Sequence, residues 1–223
     1  MAAPDPRPAP PPGLIGPDRL DAAARHAGDV WLPDHPYFAA AEAVTDPIWR
    51  SLVQRQIEDC DFTHVLDLAS GIGRNAAKLL PLCRRLTLVD IRPENIDRCR
   101  ARFGDDPRIT YLVTNGYGLA GVPDGSVTLL FCFDAMVHFD SDVVRAYLAE
   151  ARRVLARGGR AFLHHSNHEG GEDWLVAPHN RAFMSKALMG HYARKEGLGV
   201  VRQTVLEWGG VPALDCMTVL ERP

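Results

Sequence analysis

Two short stretches place proton acceptors where a substrate could meet them: FDAMVHF, with Asp134 and His138, and FLHHSNH, with His164, His165, Asn167 and His168. Histidine titrates close to neutral pH, which suits it to take the proton of a substrate hydroxyl. Both stretches lie at the ends of apolar runs that read as strands. If the strand persists through His164 and His165, their rings face opposite sides of the sheet and at most one enters a site. His165 is the first candidate base, with Asp134 and His138 next; the competing role for each is a packing side chain satisfied by backbone groups. Asp134, His138, His165 and His168 are also ligand types for a divalent ion, but without a diagnostic spacing no metal is expected.

A second constellation is VLDLASGIGRN, residues 65–75: an apolar run, an acid, then Gly71 and Gly73 ahead of a helix-forming stretch. A G-x-G turn after a strand lets the backbone approach a ligand, and the following helix turns its N–H groups toward it. Alone, this pattern also fits a dinucleotide, since Ala76 stands where the third glycine of that fingerprint falls. Asp67 argues otherwise, because a carboxylate there suits a cationic or amino group better than a pyrophosphate. Asp90 closes the next strand, LTLVD, where a carboxylate can accept both hydroxyls of a ribose. Asn115 and Gly116 follow the third strand, placed to meet an adenine edge, and the fourth strand ends at Phe133 and Asp134.

The elements that must hold these residues alternate. FTHVLDL, RLTLVD, RITYLVT and SVTLLFCFD read as strands, with helices over GRNAAKLLPLC and PENIDRCRARF between the early ones. That alternation implies a mostly parallel, doubly wound sheet with helices on its faces. DVVRAYLAEARRVL carries an apolar stripe from Val144 to Leu155, stopped by Gly158 and Gly159 before a fifth strand, RAFLHHS. A helix capped by Ser185 and two longer runs, VVRQTVLEW and ALDCMTVLER, close the chain as an antiparallel hairpin. Upstream, helices fill residues 18–60, with Asp46 as an N-cap before Pro47. Residues 1–17 are proline-dominated and expected to form a mobile tail, leaving 61–223 as the main domain.

In this order, VLDLASGIGRN, LTLVD, VPDGSVTLLFCFDAMVHF and EARRVLARGGRAFLHHSN resemble the class I S-adenosylmethionine-dependent methyltransferase family over roughly residues 62–222. Ala69 departs from the pattern, standing where the family often has its first glycine. The resemblance implies a Rossmann-like, seven-stranded α/β sheet with a reversed last strand, and S-adenosyl-L-methionine as cofactor. It sets Asp67 and the Gly71–Gly73 loop toward the methionine part, Asp90 at the ribose and Asn115 at the adenine. Ala69, Asn75, Ile91, Gly116 and Phe133 flank the same cleft. A sulfonium methyl is already electrophilic, so the protein has chiefly to align the nucleophile and, for a hydroxyl, remove its proton.

Two irregular aromatic segments, GDVWLPDHPYF and HEGGEDWLVAPHNRAFM, are expected to cross the cleft mouth, the second as a lid insertion near residues 167–184. They offer Trp31, Tyr37, Asn167 and Arg181 as substrate contacts, together with Trp174, His179 and Asn180; Arg181 would meet an anionic group. Packing against the body is the competing role for Trp31 and Trp174. The expected reaction is O-methylation of a small polar molecule, a sugar or a biosynthetic intermediate, with N-methylation as the alternative. An NAD-dependent oxidoreductase and an inactive cofactor-binding subunit are remoter.

Composition narrows the partners. The 223 residues carry 46% hydrophobic and 24% charged side chains and a net charge of −3, with no global basic footprint for nucleic acid. No apolar run approaches the ~20 residues of a membrane span. Five cysteines without a C-x-x-C pair fit reduced thiols in the cytoplasm. A monomer or homodimer with a small-molecule substrate is expected.

Overall fold

The computed structural model describes residues 17–170 and 181–223. The Pro-rich stretch before residue 17 and the centre of the expected lid, including Trp174, His179 and Asn180, lie outside the described residues. Helices α1 (Pro17–Asp29), α2 (Pro36–Ala43), α3 (Thr45–Ile48) and α4 (Gln54–Ile57) precede the sheet. A π-helical turn, Trp49–Val53, joins α3 to α4. The chain then alternates through β1 (His64–Leu68), α5 (Ala76–Leu79), β2 (Arg85–Asp90), α6 (Pro93–Phe103), β3 (Ile109–Val113) and β4 (Val127–Cys132). It continues through α7 (Ser141–Val154), β5 (Leu155–Ser166), α8 (Lys186–Lys195), β6 (Gly199–Trp208) and β7 (Val211–Glu221).

The seven strands form one sheet in the order β3-β2-β1-β4-β5-β7-β6. β1 to β5 pair in parallel, while β7 runs antiparallel to both β5 and β6. The central strands are buried on both faces, which is why they read as unbroken apolar runs rather than alternating ones. Val65, Leu129, Phe131 and Phe162 enter the core on one face; Leu66, Leu130 and Leu163 enter it on the other, under the apolar stripe of α7. The strand order reverses between β1 and β4, and the crevice outside the carboxyl ends of the strands there is where open α/β sheets bind ligands.

Three local expectations change. Gly158 and Gly159 do not end α7, which stops at Val154; they form an excursion within β5, where the register against β4 shifts and the Gly158 N–H donates to the Arg222 carbonyl at 2.7 Å. Asp46 is not the N-cap of α3. Val44 holds that position, and Asp46 pairs from the first turn with Lys78 and Arg50. The helix expected over GRNAAKLLPLC contracts to the single turn of α5.

Candidate cofactor and acceptor site

The crevice is a cleft with about 930 Å³ of space, counted out into its open mouth. Its floor comes from strand ends: Leu68 to Gly71 after β1, Asp90 and Ile91 after β2, Gly116 after β3, and Phe133 to Ala135 after β4. Its roof comes from α1, the turn carrying Trp31, and α2 with Tyr37 and Phe38.

The loop after β1 needs its glycine. Gly71 has φ +53, and a Cβ there would fall 2.9 Å from Phe38 Cε1. Ala69 also has φ +56, a conformation that costs an L-residue roughly 1 kcal/mol. Gly116, φ +86, is closed in more tightly, since a Cβ would lie 2.5 Å from Ile91 Cδ1 and 2.8 Å from Ala24 Cβ. Gly73 does not line the cleft; it packs against Phe103 and Cys99 and lets α6 approach the loop.

Asp90 organises the floor. Its Oδ2 accepts the Gly71 N–H at 2.8 Å, and its Oδ1 accepts from the Arg92 N–H at 2.9 Å and from Asn95 Nδ2 at 3.2 Å. A carboxylate offers about four acceptor positions, so three are already used and one hydroxyl, not two, can be added. Burial raises the Asp90 pKa, opposed by those same hydrogen bonds. Asn95 Oδ1, on a cleft-lining residue, is buried without a partner. An unfilled acceptor beside a carboxylate with one remaining position fits a hydroxyl-bearing ligand such as the ribose of S-adenosylmethionine.

Asp67 is 1% exposed, and neither carboxyl oxygen has a hydrogen-bond partner. It does not reach the cleft wall. Burial pushes its pKa up to about 8, only partly opposed by Arg74. With an unfolded value near ~3.9, the native state binds the extra proton between about pH 4 and 8, so Asp67 contributes stability at low pH that is lost as pH rises through that window. Thermal melts of the cofactor-free protein should therefore show Asp67→Asn close to the parent at pH 4 and exceeding it by on the order of 10 °C at pH 8.5. An equal difference at both pH values would mean that Asp67 does not titrate this way.

The end of the cleft near Tyr37 and Asp134 is a polar knot under an aromatic roof. Asp134 follows β4 with φ +63, a region in which Asp is among the more tolerant residues. Its Oδ2 accepts from the Tyr37 hydroxyl and from Arg74 Nη2 at 3.0 Å; Arg74 Nη2 also donates to the Tyr37 oxygen at 3.2 Å. Burial and the Asp134 charge hold the Tyr37 hydroxyl protonated. Trp31 packs on Tyr37 and His138 with ring centroids 5.1 and 5.2 Å apart. Asn75 lines the cleft and donates to the Phe133 carbonyl at 3.3 Å.

Not every expected residue enters the cleft. His165 is fully buried away from it, with Nδ1 bonded to the Ser166 carbonyl and Nε2 to Thr218 Oγ1, both at 2.7 Å. Burial lowers its pKa to about 4. With both nitrogens engaged it has no lone pair to offer a substrate, and the role of base does not fit it. Asn115 folds back to accept the Tyr117 and Gly118 N–H groups, so Thr114 and Gly116 line the wall in its place. Asn167 accepts the Lys186 N–H and donates to the Ala213 carbonyl. Arg181 is tied in a two-point pair to Asp215, at 2.8 and 2.7 Å. Neither Asn167 nor Arg181 lines the cleft. Among the described residues no group of three or more His, Cys, Asp or Glu could hold a metal ion, and no helix is long and apolar enough to cross a membrane.

Sequence reading missed Arg74, which follows the second glycine in the chain and carries its cation to Asp134, and the roof helix α1. The mark of that roof is its small residues: Ala23, Ala24, Ala27 and Gly28 share one side of α1, where Cβ atoms or none at all let it approach the floor.

Comparison with known proteins agrees with this geometry. Residues 65–159 match the family model described as a methyltransferase domain. Nodulation protein S of Bradyrhizobium diazoefficiens is 29% identical over 79 residues, 35% of this chain and 38% of that protein. The chain spans less than two fifths of the length of the curated relatives it matches. An S-adenosylmethionine-dependent methyltransferase of Leishmania major superposes with a TM-score of 0.73 at 14% identity, over 91% of this chain and 83% of that one. The Burkholderia thailandensis 1,6-didemethyltoxoflavin-N1-methyltransferase, solved with 1,6-didemethyltoxoflavin and S-adenosylhomocysteine, superposes at 0.69 with 18% identity over 99% and 94%. At these identities the structural likeness is one of fold.

Proposed function

We propose that this chain is a class I S-adenosylmethionine-dependent methyltransferase and that it transfers a methyl group to the hydroxyl of a small polar molecule held at the Tyr37–Asp134–His138 end of the cleft. The observation that carries the reading is the polarity of that end: a fixed carboxylate, a fixed guanidinium and an imidazole beneath an aromatic roof. S-adenosylmethionine, when bound, supplies an electrophilic methyl on sulfur. Asp90, the Gly71 loop and Gly116 would hold it through the one acceptor position left on Asp90 and the close backbone approach at the glycines. Tyr37 and Arg74 fix the Asp134 carboxylate, which can accept a hydrogen bond from the acceptor and orient it. With His165 walled off, His138 is the proton acceptor in this reading.

The Asp134 carboxylate also favours a second reading, an amine acceptor. A neutral amine attacks without prior loss of its proton, and a fixed carboxylate would orient its N–H. Calorimetric titration with S-adenosylmethionine, followed by mass spectrometry of hydroxyl and amine acceptors incubated with the protein and with His138→Ala, separates the two. A hydroxyl product whose turnover falls about 100-fold in His138→Ala, with cofactor affinity unchanged, is the expected result. An amine product with turnover insensitive to His138 selects the second reading. Absence of S-adenosylmethionine binding would defeat both.

A further inference from the structure

Behind the cleft floor lies a buried polar chain with no place in the chemistry described so far. His164 is fully buried and stacks on Phe133 at 4.8 Å with an interplanar angle of 24°, with Trp208 at 4.9 Å. Its Nδ1 lies 3.2 Å from the backbone nitrogen of Asp134, and its Nε2 lies 3.1 Å from Asp215 Oδ2. Asp215, also fully buried, holds the Arg181 guanidinium with both oxygens.

A backbone N–H can only donate, so the His164 Nδ1 facing it must carry a lone pair. The ring's hydrogen is then on Nε2, where it donates to Asp215. Asp215 cannot turn away, since Arg181 fixes both of its oxygens. The hydrogen bonds converge on Asp215: Arg181 donates to it from one side, and from the other His164, which itself accepts the N–H of Asp134, a residue in the left-handed region whose side chain enters the acceptor site.

We infer that His164 is a positioning residue, locked as the Nε2–H tautomer by Asp215 and Arg181, that holds the backbone of Asp134 so that its carboxylate meets Arg74, Tyr37 and the acceptor. Loss of this contact frees a backbone segment bearing an unfavourable φ, and the carboxylate leaves the aligned arrangement. The cofactor floor at Asp90, Gly71 and Gly116 lies on other strand ends. The effect therefore falls on turnover and not on cofactor affinity. This inference rests, for its kinetic part, on reading the cleft as a methyl-transfer site.

The test has two independent arms. Nitrogen-15 NMR of histidine-labelled protein, with the His164 resonances assigned by their loss in His164→Asn, reads the tautomer directly. The expected result is hydrogen on Nε2 and a lone pair on Nδ1; hydrogen on Nδ1 overturns the inference. In kinetics, His164→Leu should lower kcat at least tenfold with the S-adenosylmethionine KM within twofold of the parent. His164→Asn, whose side-chain oxygen can stand in for Nδ1, should recover most of that loss. Equal turnover in the two variants overturns the inference. If His164→Leu does not fold, the tautomer and the His164→Asn rate decide. A parent protein that fails to bind S-adenosylmethionine would remove the methyl-transfer reading alone, and the spectrum would still decide the tautomer.

Discussion

Asp90→Ala should weaken S-adenosylmethionine binding at least ~100-fold, or about 2.7 kcal/mol, with the fold retained. The size follows from what the carboxylate does before any ligand arrives. Three donors converge on it, the Gly71 and Arg92 N–H groups and the Asn95 amide. Hydrogen bonds to a charged group contribute roughly 1.5–3 kcal/mol each, and donors left buried without a partner add a further cost. The loop carrying Gly71 and the wall carrying Asn95 would both lose their anchor, in addition to the acceptor offered to a ribose hydroxyl. Asp90→Asn keeps one acceptor oxygen and should lose markedly less, about tenfold. Calorimetry on both variants checks this, with circular dichroism as the control for folding. Affinity unchanged in Asp90→Ala would mean that the ligand is held elsewhere and that the Asp90 cluster is only a turn.

That cluster was legible in sequence because its parts are local. An acid ending a strand and a glycine loop ending the strand beside it are fixed by β periodicity and loop chemistry, which one sequence displays. The parallel sheet with its reversed hairpin was legible for the same reason, since doubly buried strands must be apolar throughout. What stayed hidden depends on distance or on side-chain direction. Arg74 meets Asp134 60 residues away, and no local pattern marks that pairing. Strand alternation established that only one of His164 and His165 could approach the site, but not which face each took. The face of β5 packed on Phe133 and Trp208 received His164, while His165 turned toward Thr218. Asn115 was expected at the cleft from its place after β3, yet a short amide side chain beside a glycine folds onto its own backbone, as such residues do in turns. Ala69 was noted as a departure from a glycine-bearing pattern, and the positive φ there accounts for the usual preference.

The Arg74–Asp134 pair should show strong coupling. Both side chains are close to fully buried, at 8% and 10% exposure, with 3.0 Å between Nη2 and Oδ2. Removing one member of a buried ion pair leaves the other's charge uncompensated, at a cost of about 3–5 kcal/mol, whereas neutralising both together costs far less. Arg74→Met strands the Asp134 carboxylate with, among the described residues, the Tyr37 hydroxyl to bond it. Asp134→Asn strands the guanidinium, while asparagine still tolerates the left-handed backbone at that position. Each single variant should therefore melt roughly 10 °C below the parent, and the double variant should recover most of that difference. Turnover should behave otherwise. If the carboxylate orients the acceptor, the double variant stays at least ~100-fold slower than the parent despite its restored stability, because no charged group remains to hold the acceptor in line. Recovery of turnover together with stability would show that the pair only braces the β4 end against the loop after β1, and that the acceptor is aligned by Trp31 of the roof and His138 beneath it.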